Sequence, residues 1–346
     1  MVAVMSIPAS FDADLQNCLG ALPTGLDVGN GAVKLVAGSA ETRIPSYFRL
    51  LHSELYDTSI DGLVEYLDGS RTDLIGKRWL GGQSAYEKDP LSVLRVTDDR
   101  IGKVQYALQL LLSALSGLPY QPDWKLAIAA SIHDNQVFAQ ALNDALSGIH
   151  SVRFTQGISR VQVRVLKTLE EGQAALVQHR NQLSLDQQNV LLDVGNGTLI
   201  ASLFGSKGVL LERRVFSGGV ENLIAAIAKN LVLRKFLQGS QGDPHLIRKA
   251  LESGSFEYGN TTFCFECVYR SEVKPWASAV LAPATRFIAP WQSGASGCLA
   301  IGGGLMLLGI PQALAAKGFI TATEPAWSNA RGLRKLAELL LQKEAK

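Results

Sequence analysis

The five-residue motif Asp-Val-Gly-Asn-Gly occurs twice in this chain, at residues 27–31 and again at residues 193–197. Each copy lies beside short apolar runs, which predicts a β-hairpin with the aspartate at the end of its first strand. We expect the Gly-Asn-Gly turn to need positive φ angles, which glycine and asparagine adopt at little cost. The repeat therefore predicts a duplicated fold in which each half opens on an acidic hairpin.

The paired turns suit a phosphate ligand. Two such turns facing each other would present backbone N–H groups to a phosphate chain. Asp27 and Asp193 beside them suit a hydrated Mg²⁺, which binds through one or two carboxylates together with phosphates. Two ordinary tight turns in a duplicated fold would leave the same pattern without a ligand. The close identity of the two copies favours a paired phosphate site.

Composition excludes several other classes of function. The net charge is +2 over 346 residues, so a strong electrostatic attraction to nucleic acid or to a membrane surface is not expected. No uninterrupted apolar run reaches about 18 residues, so no transmembrane helix is predicted. Residues 1–22 lack the pattern of a secretory signal and are expected to form an accessory N-terminal extension. We therefore expect a cytoplasmic protein without a membrane partner.

The four cysteines are too few and too scattered for a disulfide framework in a chain of this length. Cys264 and Cys267 form a single C-x-x-C inside an aromatic run, Thr261–Arg270, that is expected to be strand-like. Because no second pair lies nearby, metal or redox chemistry there is only a minor alternative. A reducing compartment fits this cysteine usage best.

The remaining sequence alternates helix-like and strand-like patterns. Apolar spacing predicts helices at Lys103–Leu115, Gln136–Leu146, Leu223–Leu237, Ala277–Phe287 and Ala330–Lys343. Nearly continuous or alternating apolar runs predict strands at Lys125–Ile132, Phe154–Leu166 and Cys298–Ile301. The segment from Leu169 to His179 is predicted to be the helix that joins the two halves.

Together these motifs resemble the actin, Hsp70 and sugar-kinase ATPase superfamily. The resemblance is carried by the two D-x-G-x-x hairpins, a connecting segment with glutamate, a strand leading into the glycines 302–304, and the Asn-Ala-x-Gly sequence at 329–332. The chain length and the Ile-Pro-Ser sequence at 44–46 are most similar to bacterial and archaeal actin-like proteins of the plasmid-partition type. The resemblance spans about residues 25–341.

The resemblance implies an α/β chain with a duplicated actin-like (ribonuclease-H-like) ATPase fold. Two lobes would surround a nucleotide cleft, and each would carry a small inserted subdomain. Lobe I is expected at residues 23–178 with an insertion at about 43–100. Lobe II is expected at 179–325 with an insertion at about 222–290. Residues 326–346 would form a C-terminal helix that packs back on lobe I.

The resemblance also implies roles for single residues in a site for ATP or ADP with Mg²⁺. Asp27 and Asp193 would orient the metal and take part in catalysis. Glu170 would position the attacking water, with Glu171 as the alternative. The remaining assignments are Gly29, Asn30, Gly31 and Lys34 for the first phosphate motif, Gly195, Asn196, Gly197 and Thr198 for the second, Gly218, Gly219, Glu221 and Asn222 for the approach to ribose and base, and Gly302, Gly303 and Gly304 for the adenosine motif.

Two positions depart from the pattern of the superfamily. Ile200 stands where the second phosphate motif usually carries an acidic residue, and Leu169 stands where proline commonly precedes the catalytic position. Neither departure removes an expected phosphate or metal contact. They bear on the rate of hydrolysis and on the branch of the superfamily more than on ATP binding.

The implied function is an ATPase that polymerises head-to-tail into filaments and hydrolyses ATP, serving plasmid or DNA segregation through a DNA-binding adaptor. Direct contact with nucleic acid is not expected. A small-molecule kinase of the same superfamily and a non-filamentous ATP-binding regulatory protein are the alternatives. Aromatic residues of the two insertions are candidates for subunit contacts, although such residues more often belong to a local core: Trp79, Tyr86, Phe256, Tyr258 and Phe263.

Overall fold

The computed structural model describes residues 20–52, 60–99 and 101–346. Most of the predicted extension at residues 1–22, including Cys18, therefore lies outside the described residues. The chain divides into two compact units. Unit 1 contains the described residues up to Ala174 together with Ala330–Lys346, and unit 2 is Ala175–Asn329. None of the described helices is both long and apolar enough to cross a membrane.

The described strands of unit 1 form a single mixed sheet. They are β1 (Leu22–Val28), β2 (Ala32–Ala37), β3 (Ala40–Pro45), β4 (Tyr47–Leu51), β5 (Leu63–Gly69), β6 (Arg78–Gly81), β7 (Leu94–Arg95), β8 (Asp123–Ile132), β9 (Gly148–Phe154) and β10 (Gly157–Glu170). Their order across the sheet is β3-β2-β1-β8-β10-β9-β5-β6-β4-β7. The strands β4 to β7, from the region predicted as the first insertion, thus extend the sheet beyond β9.

Unit 2 repeats half of this arrangement. Its described strands are β11 (Asn189–Val194), β12 (Thr198–Phe204), β13 (Leu210–Ser217), β14 (Gly297–Ile301) and β15 (Ile320–Thr321), in the order β13-β12-β11-β14-β15. The order β3-β2-β1-β8-β10 in unit 1 has the same pairing, two antiparallel pairs followed by two parallel pairs. The predicted duplication of an α/β fold is confirmed.

Helices cover these sheets. In unit 1 they are α1 (Gln83–Lys88), α2 (Gly102–Gln105), α3 (Ala107–Leu115) and α4 (Asn135–Leu146), and α5 (Gln173–Gln178) contains the point at which unit 2 begins. In unit 2 they are α6 (Val220–Lys229), α7 (Leu231–Phe236), α8 (Pro244–Ser253), α9 (Glu266–Trp276), α10 (Ala282–Gln292) and α11 (Ile310–Ala315). The last helix, α12 (Ser328–Glu344), belongs mainly to unit 1.

Several predicted elements differ from the observed ones. The run predicted as a strand at Thr261–Arg270 is wrong, because α9 begins at Glu266 and its apolar residues face the core at helical spacing. The predicted joining helix is also wrong at its start. Strand β10 continues to Glu170, and α5 begins only after Gly172, whose φ of +81° does not suit a right-handed helix. The helix predicted to end at Phe287 continues to Gln292, the last residue of α10.

Two helices predicted as continuous are each divided in two. Tyr106 separates α2 from α3. Asn230 separates α6 from α7, because its extended backbone ends α6 while its side chain accepts a hydrogen bond from the Val232 N–H and caps α7. Apolar spacing alone does not reveal these breaks, since it continues across them.

The hydrophobic cores lie on the sheets. Every residue of α3 is buried in the core of unit 1. In unit 2, residues of α8 and α9 share one core with β11 and β12, so the region predicted as the second insertion is not a separate apolar cluster. Helix α12 packs in unit 1 through Leu333 and Ala337. Gly25 permits this approach, because a Cβ atom there would lie 2.1 Å from the Ala330 carbonyl oxygen.

The aromatic residues considered for subunit contacts are mostly internal. Trp79, Phe256 and Tyr258 are buried in the cores of their own units, so a subunit-contact role is wrong for these three. The other two are half-buried and stack on neighbours: Tyr86 on Tyr47 and Phe263 on Phe236. The alternative interpretation as local core therefore fits the set better.

Candidate functional site

The first turn, residues 29–31, joins the antiparallel strands β1 and β2. The Gly29 N–H donates to the Ala32 carbonyl oxygen at 3.1 Å. Contrary to expectation, neither Gly29 nor Asn30 has a positive φ. Glycine is required at position 29 for space instead, because a Cβ atom there would lie 2.8 Å from the same carbonyl oxygen.

The second turn, residues 195–197, has the same geometry between β11 and β12. The Gly195 N–H donates to the Thr198 carbonyl oxygen at 3.0 Å, and a Cβ atom on Gly195 would lie 2.8 Å from that oxygen. Gly195 and Asn196 have no positive φ either. The sequence repeat thus reflects a shared local structure, but its physical reason is close approach rather than left-handed backbone.

Both turns are anchored through their carbonyl oxygens. In the first turn, Ser46 donates its hydroxyl to the Gly29 oxygen at 2.5 Å and its N–H to the Gly31 oxygen at 3.3 Å. Within the part of the chain that the structure describes, the N–H groups of Asn30 and Gly31 donate no hydrogen bond. An anionic oxygen can accept hydrogen bonds from two such successive N–H groups on an anchored turn.

The second turn is anchored by the segment that begins α6. The N–H groups of Gly218, Val220 and Glu221 donate to the carbonyl oxygens of residues 197, 195 and 196 at 3.3, 3.2 and 2.8 Å. Gly219 allows this contact, because a Cβ atom there would lie 2.3 Å from the residue 196 carbonyl oxygen. Among the described residues, the N–H groups of residues 196 and 197 also have no acceptor. The segment at 218–222, predicted near ribose and base, therefore lies against the second turn.

The first aspartate has two polar neighbours. Asp27 is only 8% exposed, and it accepts a hydrogen bond from Lys34 Nζ at 2.9 Å and from Ser131 Oγ at 3.3 Å. The register explains both contacts, since Lys34 on β2 and Ser131 on β8 are the residues paired with Asp27. The predicted lysine is thus bound to the predicted metal ligand.

The second aspartate has a different setting. Asp193 is paired with Ile200 on β12 and with Ile301 on β14, so no lysine stands across from it. Its carboxylate lies against Gly302, where a Cβ atom would come within 2.3 Å of Oδ1. Gly302 also has a φ of +98°, which only glycine adopts readily. The adenosine motif and the second aspartate are therefore neighbours within unit 2.

The other two glycines of the motif differ in their surroundings. A Cβ atom on Gly304 would lie 2.3 Å from Val194 Cγ1. A Cβ atom on Gly303 would meet no described atom within 4 Å. Packing within the chain thus accounts for Gly302 and Gly304, whereas Gly303 faces open space.

Glu170 and Glu171 are held in different ways. Glu170 is the last residue of β10, and its Oε1 accepts the Asn135 N–H at 2.9 Å, at the start of α4. Glu171 forms an ion pair with Lys103, and both side chains are nearly buried. Because Leu169 pairs with Ser131, which in turn pairs with Asp27, Glu170 lies one residue beyond this row of paired strand ends. Glu171 is thus the glutamate that pairs with a lysine, and Glu170 is the one that contacts the start of α4.

The C-x-x-C sequence is not part of this arrangement. Cys264 and Cys267 are exposed free thiols. Among the described residues, no group of three or more histidine, cysteine or acidic side chains could hold a metal ion by itself.

Sequence reasoning missed three residues that contact the predicted ones. Ser131 shows a weak signal, a hydroxyl near the end of an otherwise apolar strand. Ser46 was noted only as part of a resemblance, not as the anchor of the first turn. Arg248, which donates to the Asn196 side chain at 2.5 Å, has no local signal because the two are far apart in sequence.

Comparisons with known proteins agree with this architecture. Residues 25–173 match the family model described as the N-terminal domain of actin-like proteins. The pCBH ParM non-polymerisable quadruple mutant has 18% identity and a TM-score of 0.70, with 92% of this chain and 100% of that chain covered. An archaeal actin homologue in complex with ADP has 17% identity and a TM-score of 0.69, with coverages of 91% and 99%.

A third similar structure is a filament. ParM from Clostridium botulinum, solved as the whole structure of a 15-stranded filament, has 16% identity and a TM-score of 0.68, with 93% of this chain and 100% of that chain covered. At such low identities these likenesses establish a common fold. No protein of curated function matches the sequence significantly.

Proposed function

We propose that this chain is an ATPase that binds Mg-ATP and assembles into filaments. It has the fold of the bacterial and archaeal actin-like proteins, and its residues 25–173 match the model of their N-terminal domain. The observation that carries the proposal is the duplicated turn. In each unit an aspartate ends a strand, and two successive N–H groups without a partner among the described residues follow it.

In this proposal the two turns bind the phosphates of one nucleotide. The N–H groups of residues 30, 31, 196 and 197 donate to phosphate oxygens, which anchored turns of this kind bind well. Mg²⁺ prefers oxygen ligands and keeps several waters, so Asp27 and Asp193 orient it through those waters. Residues 218–222 and 302–304 accommodate the nucleoside.

Hydrolysis requires mainly positioning and charge stabilisation, because phosphoryl transfer leaves little covalent work to the protein. Glu170 aligns the attacking water, and its contact with the start of α4 restricts its side chain. Lys34 offsets charge on the phosphates while it pairs with Asp27. These roles follow the resemblance, and the local geometry within each unit is compatible with them.

The nucleotide state controls assembly in this proposal. ATP favours the conformation that forms head-to-tail contacts, and loss of the last phosphate removes part of that preference. The similarity to a ParM filament over nearly the whole chain supports self-assembly. We propose segregation of plasmid DNA in the cytoplasm through a DNA-binding adaptor, since a net charge of +2 gives little direct attraction to DNA.

Calorimetry and sedimentation test the proposal together. The wild type is expected to bind Mg-ATP and to form a sedimentable polymer when Mg-ATP is added. Asp193→Asn is expected to weaken Mg-ATP binding, whereas Glu257→Gln, which removes an exposed charge elsewhere in unit 2, leaves it unchanged.

Absence of Mg-nucleotide binding in the wild type would contradict the proposal. Phosphorylation of a sugar or acid without any polymer would favour the small-molecule kinase. Binding without polymer or phosphoryl transfer would favour the regulatory protein.

A further inference from the structure

The second turn contacts a cation from a distant part of the chain. Arg248 Nη1, on α8, donates to Asn196 Oδ1 at 2.5 Å. The amide nitrogen of Asn196 donates in turn to Glu221 Oε2 at 3.3 Å. Arginine only donates and a carboxylate only accepts, so these two neighbours together fix the orientation of the Asn196 amide.

Arg248 is held in place by the packing of its helix. Asp243 caps the N-terminus of helix α8, because its side chain accepts the His245 N–H at 2.7 Å. Pro244 follows at the first helical position. Buried residues then fix the helix on the core of unit 2: Ile247, Ala250 and Leu251. The guanidinium is therefore presented to the turn by a well-packed helix.

The two turns are contacted by basic side chains from different parts of the chain. In the first turn, Lys34 stands across the hairpin from Asp27 and binds it. In the second turn the corresponding position is Ile200, which has no charge. Arg248 approaches the second turn from outside the hairpin and contacts it through Asn196.

A cation at the second turn would offset a negative charge that lies beside the turn. Glu221 lies beside the turn and would repel a phosphate bound to the N–H groups of residues 196 and 197. Its position in the first turn of α6 is favourable for a carboxylate. A guanidinium on the other side of the Asn196 amide offsets it.

We propose that Arg248 is the cation of the second turn and a positioning residue of the nucleotide site. It orients Asn196, keeps the N–H groups of the turn aimed at the phosphates, and compensates the charge of Glu221. This inference depends on the proposed function, since it concerns the same nucleotide. It further specifies that Arg248 acts on the phosphates and not on the nucleoside.

The test compares ligands that differ only in phosphate. Mg-ATP and adenosine are titrated by calorimetry and by ligand-observed NMR into the wild type, Arg248→Ala, Arg248→Lys and the control Arg270→Ala. Arg270 is exposed on α9, where it pairs with Glu266 one turn away. We expect Arg248→Ala to weaken Mg-ATP binding by about tenfold, the usual size for a lost hydrogen bond to a charged group, and to leave adenosine binding unchanged.

Arg248→Lys is expected to recover part of the affinity, because it keeps the charge but not the planar donor geometry. Arg270→Ala is expected to bind both ligands like the wild type. Wild-type Mg-ATP affinity in Arg248→Ala would overturn the inference. An equal loss of adenosine affinity would also overturn it, since that would indicate a general structural role. If the wild type binds no Mg-nucleotide at all, the proposed function itself fails.

Discussion

At the scale of single residues, Asp27 and Asp193 hold the same position in two similar turns but have different neighbours. Asp27 is paired with Lys34, whereas Asp193 faces Ile200 and lies against Gly302. Strand register therefore gives the two aspartates different surroundings beside similar turns.

Lys34→Met tests the ion pair in the first turn. The side chains of Lys34 and Asp27 are only 14% and 11% exposed, so removal of the lysine takes one partner from a nearly buried ion pair. We expect the free energy of unfolding to fall by roughly 2–3 kcal/mol, because breaking such a pair from one side is costly. Chemical denaturation measures the change. The double variant Asp27→Asn with Lys34→Met should lose less than Lys34→Met alone, and an equal or larger loss would contradict this account.

Glu170→Ala tests the position of the attacking water. Because Glu170 ends β10 and is not an expected phosphate contact, ATP binding should survive. Hydrolysis should fall by about two orders of magnitude, the usual effect of removing a positioned acid–base group. Single-turnover assays with ATP measure it. Normal turnover would discredit the assignment, and a loss seen instead in Glu171→Gln would transfer the role to Glu171.

His150 predicts a pH dependence for unit 1. It is fully buried, with Nε2 3.1 Å from the Leu146 carbonyl oxygen and Nδ1 2.8 Å from the Tyr66 hydroxyl. Burial lowers the pKa of His150 to about 4, and the positive charge of Arg71 acts in the same direction. In the unfolded chain the pKa is about 6.5. The fold thus favours the neutral ring.

The stability contributed by the neutral ring is complete above pH 6.5 and is lost as the pH falls towards 4, because the unfolded chain then binds a proton that the folded chain does not. Denaturation at pH 7.5, 5.5 and 4.5 should show this fall in the wild type. His150→Asn should reduce the slope between pH 6.5 and 4 by about one proton. An unchanged slope would show that His150 does not control it.

At the scale of elements, the strand β14 and the glycines that follow it combine two requirements. Gly302 is required by the fold, since its φ is +98° and a Cβ atom would meet Asp193 Oδ1. Gly303 has open space around its Cβ position. The described part of the chain therefore gives no packing reason for glycine at 303, whereas the proposed nucleoside would.

Gly302→Ala and Gly303→Ala form a matched pair. Gly302→Ala should lower the free energy of unfolding by about 1–3 kcal/mol, because alanine is strained at positive φ and collides with Asp193. Gly303→Ala should change stability by less than about 0.5 kcal/mol but weaken nucleotide binding. Thermal unfolding and calorimetry measure the two effects. Unchanged nucleotide affinity in Gly303→Ala would remove residue 303 from the proposed adenosine site.

At the scale of the whole molecule, the chain returns to unit 1 after completing unit 2. Helix α12 packs there on a small cluster of unit 1 that includes Ala129 and Ala174. Unit 1 is therefore incomplete until the last residues of the chain are present. The folding of unit 1 therefore requires contacts between residues at opposite ends of the sequence.

Two leucines of α12 test this dependence. Leu333 is fully buried, and Leu333→Ala should lower the free energy of unfolding by about 3 kcal/mol, the usual cost of a cavity in a core. Leu339 is 38% exposed on the same helix, and Leu339→Ala should cost less than about 1 kcal/mol. The rate of hydrogen exchange of the β1 amides should rise in Leu333→Ala and stay unchanged in Leu339→Ala. Equal effects of the two substitutions would indicate that α12 does not complete unit 1.

The fold class and the resemblance to actin-like proteins could be predicted because both depend on local patterns. The apolar runs around each acidic turn indicated hairpins, and their repetition indicated the duplication. Where local pattern and packing disagreed, the prediction was wrong, as in α9, where aromatic residues at helical spacing were interpreted as a strand. The site assignments stay predictions, although the structure brings Gly218 to the second turn and Gly302 to Asp193.

The sequence by itself determined that two similar units exist and that each begins with an acidic turn. Both features depend on residues that are close together along the chain. Only the tertiary structure decided which side chains surround those turns. Strand register places Lys34 and Ser131 beside Asp27. Arg248 contacts Asn196 from a helix that lies much further along the sequence. Such contacts depend on distances between folded elements, and no local pattern in the sequence encodes them.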